Sequence, residues 1–274
     1  MMTSTDIIES SSVPAGCLRC DASLQEVSLF LADYAAWLHG AGATCIRLER
    51  NVSRMAEALG CEAVMTILPR HIHLTTYTMG CSESYTYIAA TRQMPISFDI
   101  NTKLSSLSWK LADGRIDFKE ARRKFETITG TPAERPQLVL LLASLANASF
   151  CRLFGGDWAA MAVVFMATFA GFYLKQLMCA RKADIRLVFI VCAFVSSVLG
   201  AGAGLFHLGC TPEIAVGTSV LYLVPGIPFL NSFSDLLAGH YICSFSRLTH
   251  AVVLTCCLSI GLCAGLLTMN LGMF

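Results

Sequence analysis

The residues best equipped for chemistry lie in one apolar stretch, Leu223-Val224-Pro225-Gly226-Ile227-Pro228-Phe229-Leu230-Asn231-Ser232-Phe233-Ser234-Asp235. Pro225 and Pro228 each lack an amide donor and Gly226 permits backbone angles closed to other residues, so a helix entering from Glu213 has to break or kink here. Within a bilayer, the backbone groups freed by such a break are tolerated only where protein covers them or where they line a watery cavity. Pro228 suits the first turn of a new half-helix, whose unpaired amides and positive dipole end attract an anion. Asn231 and Asp235 stand four residues apart on one face of that half-helix, with Gly239 a further turn along. An amide that both donates and accepts, one turn from a carboxyl group, is suited to hold a carboxylate and to exchange a proton. The competing reading is a proline-kinked helix whose Asp235 simply reaches the interface near His240 and Arg247.

Other chemical candidates are thin. His71 and His73 project from the same face of a strand, but no further ligands stand at metal-binding spacing, so neither a metal nor a cofactor is expected. Cys17-x-x-Cys20 has no second cysteine pair. Gly200, Gly202 and Gly204 have apolar membrane sequence on both flanks, where a phosphate-cradling loop needs a strand and a soluble helix. Gly200 with Gly204, and Gly261 with Gly265, instead have the spacing that lets transmembrane helices approach closely. No nucleophile elbow, Walker loop or zinc-protease helix is present, and the chain is not expected to be an enzyme.

Charge and hydropathy show what must position these residues. Of 274 residues, 55% are hydrophobic and 14% charged, with a mean hydropathy of +0.60. Of the 20 Lys/Arg, 14 precede residue 137, as do 15 of the 19 Asp/Glu. A nearly charge-free second half excludes a fully soluble enzyme and a disordered chain, and a net charge of +1 excludes a protein built to grip nucleic acid. The expected organisation is an N-terminal tail over 1–20, a cytoplasmic α+β domain over 21–136 and an all-α transmembrane domain over 137–274. The 13 cysteines scattered through both halves suit a reducing compartment, and the first 20 residues lack the features of a signal peptide.

Five segments are long and apolar enough to span a bilayer: Gln137 to Phe154, Trp158 to Leu174, Leu187 to Cys210, Ile214 to Ser234 and Leu248 to Phe274. Lys175, Arg181, Lys182 and Arg186 between the second and third spans, and Arg122, Arg123, Lys124 and Arg135 before the first, mark the cytoplasmic side. In the α+β domain, Asp21 is a plausible cap for a helix carrying Leu24, Val27, Leu31, Tyr34, Ala35 and Leu38 at helical spacing. A second helix places Leu48, Val52, Met55 and Leu59 on one face and stops at Gly60, with Arg47, Arg50, Arg54 and Glu57 on the other side, which reads as a solvated face in preference to a site for a partner or lipid headgroups. Glu62–Leu68, Ile72–Thr78 and Ser84–Ala90 read as a small antiparallel sheet. Asn101 then caps a helix over Thr102–Ala112, and Asp117 with Glu120 starts another over Phe118–Ile128.

Taken together, Gly40-Ala41-Gly42-Ala43-Thr44 leading into Arg47-x-Glu49 and Ala58-Leu59-Gly60, Leu74-Thr75-Thr76, Gly114-x-Ile116 before Ala121, and the run from Leu223 through Pro225, Gly226, Pro228, Asn231, Asp235, Gly239 and His240 to Arg247 resemble the threonine/serine exporter (ThrE-type) family. The similarity runs from about Leu24 to the last span. Fused members carry a second set of spans, and a single five-span set is similar to the YjjP-type large subunit of a split two-component exporter. The resemblance implies a bacterial inner-membrane secondary exporter of small carboxylates, threonine or serine in fused members and succinate-like dicarboxylates in split ones. It also implies a small YjjB-type membrane subunit as partner, a homo-oligomer being the other way to supply a second half. Pro225, Gly226, Pro228, Asn231, Asp235, Gly239 and Arg247 would then line the substrate and proton pathway.

The alternative is a membrane-tethered enzyme or metabolite sensor acting through the cytoplasmic domain, with His71, His73 or Glu49 taking part; turnover by residues 1–136 would favour it. The span count and loop charges give a direct expectation. A reporter fused after Phe274 is active only outside the cytoplasm and one at the N-terminus only inside, whereas both termini on one side would mean a miscounted span.

Overall fold

The computed structural model describes residues 22–78, 83–92, 94–131, 135–205 and 209–269. The expected tail with Cys17 and Cys20, and the expected cap Asp21, lie outside them. The chain forms two compact units, one from the chain up to Thr131 together with Asn231–Ser246, the other from Pro132–Leu230 together with Arg247 onward.

The first unit opens with α1 (Leu24–Gly40) and α2 (Cys45–Leu59). Ser23 caps α1 in a reciprocal box with Glu26. Gly60 closes α2 at φ 84°, a left-handed geometry that glycine adopts without strain. Strands β1 (Cys61–Ile67), β2 (His71–Thr78) and β3 (Ser84–Ala90) form an antiparallel sheet in that order, with Met65 opposite Leu74 and Leu74 opposite Tyr87. The two-residue period of β2 turns Ile72, Leu74 and Thr76 inward, where the Thr76 hydroxyl meets that of Ser28 on α1.

Helices α3 (Phe98–Ala112) and α4 (Phe118–Gly130) complete this core. Asp117 caps α4 as expected, accepting the amide of Glu120. α3, however, starts earlier than expected, capped by Ser97. Asn101 lies inside the helix and buried, and its side chain donates to the Ala41 carbonyl in the turn before α2. The solvated-face reading of α2 also needs correction at Arg54, which donates to Asn51 and Ser108 and stacks 3.6 Å over the Trp109 ring. A guanidinium over an aromatic face gains more from stacking and two hydroxyl or amide acceptors than from water alone. Between α1 and α3, the fully buried Tyr34 hydroxyl donates to Leu104 O and accepts from Asn51. Burial pushes the Tyr34 phenol well above its usual range, so it remains a neutral donor.

The second unit is helical. α5 (Pro136–Leu153), α6 (Trp158–Ala180), α7 (Ile185–Leu205) and α10 (Tyr241–Thr268) are each long and apolar enough to cross a membrane. α10 begins seven residues earlier than the expected Leu248, immediately after the break at Gly239 and His240, which puts Arg247 inside the helix. α8 (Pro212–Ser219), a 3-10 turn over Leu221–Leu223 and α9 (Gly226–Leu237) form an interrupted pair bent by 59°, which makes the count of spans four, or five if the pair is one. The glycine spacings act as expected. A Cβ on Gly200 would lie 2.8 Å from Ser219 Oγ on α8, and one on Gly261 would strike the Ile190 carbonyl and approach Ala193 of α7 to 2.9 Å.

The break exposes helix-end carbonyls, and one of them has a dedicated partner. Asn147 of α5, buried, donates to the Thr218 carbonyl near the end of α8 at 3.0 Å and to Thr168 Oγ1 of α6 at 2.6 Å. Three helices thus meet on one amide, which adds a second donor to a helix-end carbonyl that also accepts the Val220 amide. Asn147→Ala should destabilise this unit by about 1–3 kcal/mol, read as a lowered unfolding midpoint of the detergent-solubilised protein. An unchanged midpoint would show that the carbonyl finds another donor.

Candidate functional site

α9 starts where the prolines dictate. The Gly226 amide donates to Val224 O at 2.8 Å and the Phe229 amide to Pro225 O at 3.3 Å, so helical bonding resumes across Pro228 within one turn. Pro225, Gly226 and Pro228 lie in the second unit, and the chain passes into the first at Asn231.

There the two polar residues of α9 meet the turn between α1 and α2. Asn231 Nδ2 donates to the Gly42 carbonyl at 2.8 Å, and Asp235 Oδ1 accepts the Cys45 amide at 2.8 Å. Local sequence explains why this turn needs them. Gly42 sits at φ 88°, and a Cβ there would come within 2.9 Å of Ile96, so the chain turns sharply and exposes its carbonyl. Thr44 occupies the cap position of α2 without making a side-chain cap bond, and the first turn of α2 carries no acidic residue. Asp235 supplies from a distant part of the chain what Thr44 does not, an acceptor for a first-turn amide and a negative charge at the positive end of the helix. The carboxylate is fully buried.

The segment after Asp235 is fixed in turn. The His240 amide donates to the Asp235 carbonyl, Gly239 takes φ 85°, and the chain re-enters a helix at Tyr241. Ser232 Oγ donates to Ser244 O and Ser244 Oγ to Ser232 O, both at 2.8 Å, a reciprocal clasp between α9 and the start of α10. His240 Nε2 lies 3.4 Å from Glu49 Oε2 on α2. The structure therefore brings Asn231 and Asp235 to the α1–α2 turn, while Gly239 ends the segment after α9 and Arg247 stands on α10 in the other unit. Gly42 and Cys45 serve this site through backbone atoms, which side-chain identity does not reveal. Ser232 and Ser244 carried the ordinary polar signal of an apolar stretch.

Membrane-length apolar helices, with a bent pair whose second helix continues into an α+β unit, define a multi-pass membrane protein. Residues 30–269 match the family model described as "Putative threonine/serine exporter", and the chain belongs to this ThrE family. It is similar to the "Probable succinate transporter subunit YjjP" of Klebsiella aerogenes, 29% identical over 248 residues that cover 89% of this chain and 95% of the relative. It is likewise 29% identical to the protein of the same name from Escherichia coli K12, over 89% of this chain and 90% of the relative. No solved structure matches the chain. The protein is a membrane exporter subunit and not an enzyme.

The capping role of Asp235 separates two substitutions. Asp235→Ala leaves the Cys45 amide without this acceptor and should lower stability by about 1–2 kcal/mol. Asp235→Asn retains an oxygen in the same place and should lose less. Unfolding midpoints of the two variants in detergent check the order, and equal losses would count against the cap.

Proposed function

We propose that this chain is the large subunit of a split secondary exporter that moves small carboxylate metabolites, threonine/serine or succinate-like dicarboxylates, out of a bacterial cell across the inner membrane. The observation that carries the reading is the interrupted helix with Asn231 and Asp235 on one face, in a chain that belongs to the ThrE family. The α+β domain over 21–136 lies in the cytoplasm and the spans over 137–274 form the membrane domain. The Lys and Arg cluster from Lys175 to Arg186 supports that orientation.

A small YjjB-type membrane subunit completes the transporter. Support comes from the word subunit in the relatives' names. Many secondary transporters build their central site between two repeats, and one five-span set supplies one of them.

Within the pathway, Asp235 is the proton-exchanging group, and its bond to the Cys45 amide ties it to the start of α2. Asn231 offers a donor to a substrate carboxylate whenever it leaves Gly42 O, and Arg247 offers a cation. Pro225, Gly226, Pro228 and Gly239 provide the backbone freedom for α9 to move between such states.

The test is export from cells that carry both subunits. Asp235→Asn is expected to cut export by at least about tenfold with expression and co-purification of the partner intact, because the amide keeps the bond but cannot cycle a proton. Asn231→Ala is expected to weaken apparent substrate affinity more than assembly. Undiminished export by Asp235→Asn, or full export by the large subunit reconstituted alone, would overturn the proposal.

A further inference from the structure

Beside the Asp235 bond lies a second constellation that the transport reading does not use. His39, in the last turn of α1, Cys45, the first residue of α2, and Cys243, in the first turn of α10, bring one imidazole nitrogen and two Sγ atoms within 4.8 Å of one another. All three belong to the first unit. They are buried, with 8%, 0% and 2% of their surface exposed.

His39 carries the argument. Neither of its ring nitrogens has a hydrogen-bond partner among the described residues. A neutral imidazole has one donor and one acceptor, and enclosing both without partners is costly in an interior where nearly all polar atoms are satisfied. A ring held in that condition beside two sulfur atoms matches a ligand set better than a packing residue. Gly40 holds it in place: a Cβ there would collide with the Arg92 carbonyl, so α1 ends tightly packed on the segment after β3. Cys243 is held by its contact with the Ile67 carbonyl at 3.3 Å, and the Cys45 backbone by Asp235.

We infer that His39, Cys45 and Cys243 form a binding site for one thiophilic d10 metal ion, Zn2+ or Cu+. Two sulfurs and one imidazole are the donor set such ions prefer over Mg2+ or Ca2+. Cu+ is satisfied by three ligands, and Zn2+ keeps a fourth position. On binding, each thiol releases its proton to solvent, the two thiolates and the neutral imidazole each give a lone pair to the metal, and no oxidation state changes. The ion would join the α1–α2 turn to the start of α10, clamping the segment that carries Asn231 and Asp235. The site depends on these three side chains alone and stands whether or not the chain exports carboxylates.

Full-length protein, purified in detergent under reducing conditions and stripped with chelator, is titrated with Co2+ as a spectroscopic stand-in for Zn2+, and separately with Cu+ against a chromophoric copper chelator. One equivalent should bind per chain, with a thiolate-to-cobalt charge-transfer band in the first arm that Zn2+ abolishes. Cys45→Ser, Cys243→Ser and His39→Gln should each lower affinity by at least ~100-fold, since losing a direct ligand costs more than losing the groups that orient it. The double variant Cys17→Ser/Cys20→Ser should bind like the parent. Unchanged elution profiles and partner co-purification for the single variants show that the fold is intact. No binding in either arm, binding indifferent to His39→Gln, or binding lost with Cys17 and Cys20 would overturn the site.

Discussion

Two prolines three residues apart take two amide donors out of a segment that otherwise has the length and hydropathy to cross a bilayer, and the interruption beside them sets demands on the helices around it. The helix stops at Ser219, passes through a tight turn and resumes at Gly226 at an angle. The Thr218 carbonyl is met by Asn147, which in turn fixes where α5, α6 and α8 converge. Glycines on α7 and α10 let backbones approach where side chains would hold them apart. In hydrocarbon, each released polar group has to be satisfied within the protein, so a break in one helix constrains the sequence of its neighbours.

The half-helix after the break then behaves unlike a membrane span. Asn231 and Asp235 on its polar face take backbone partners in an α+β unit. The exchange is mutual. α9 gains acceptors and donors for two polar side chains that lipid would penalise, and α2 gains the cap that its own Thr44 does not provide.

Much of this was legible in the sequence because it rests on period and composition. The three strands and the faces of α1 and α2 follow from side-chain alternation and helical spacing; the prolines signal an interruption, but the first helix already ends at Ser219 and Pro228 lies within α9. The misplacements have physical reasons. Asn101 has a cap-forming side chain, and only the fold shows that its amide is used against Ala41 while Ser97 caps the helix. Arg54 resembles its exposed neighbours until Trp109 and Ser108 of α3 are placed beside it. At the candidate site, the identities of Asn231 and Asp235 pointed to a role, but their partners are a carbonyl and an amide, which every residue has. His39, Cys45 and Cys243 share no sequence window, so no spacing rule joins them.

The cap on α2 also has a consequence for how the chain is made. Cys45 precedes Asp235 by 190 residues, so at about 5–20 residues per second the amide waits roughly 10–40 s for its acceptor to be synthesised. During that interval the nascent α+β unit has its own sheet and helices but lacks Ser244, Cys243 and Asp235. Completion of the α+β unit is therefore a late event that waits on synthesis of the whole helical segment between. A chain whose spans are inserted wrongly presents an unfinished domain to the proteases and chaperones that survey nascent proteins.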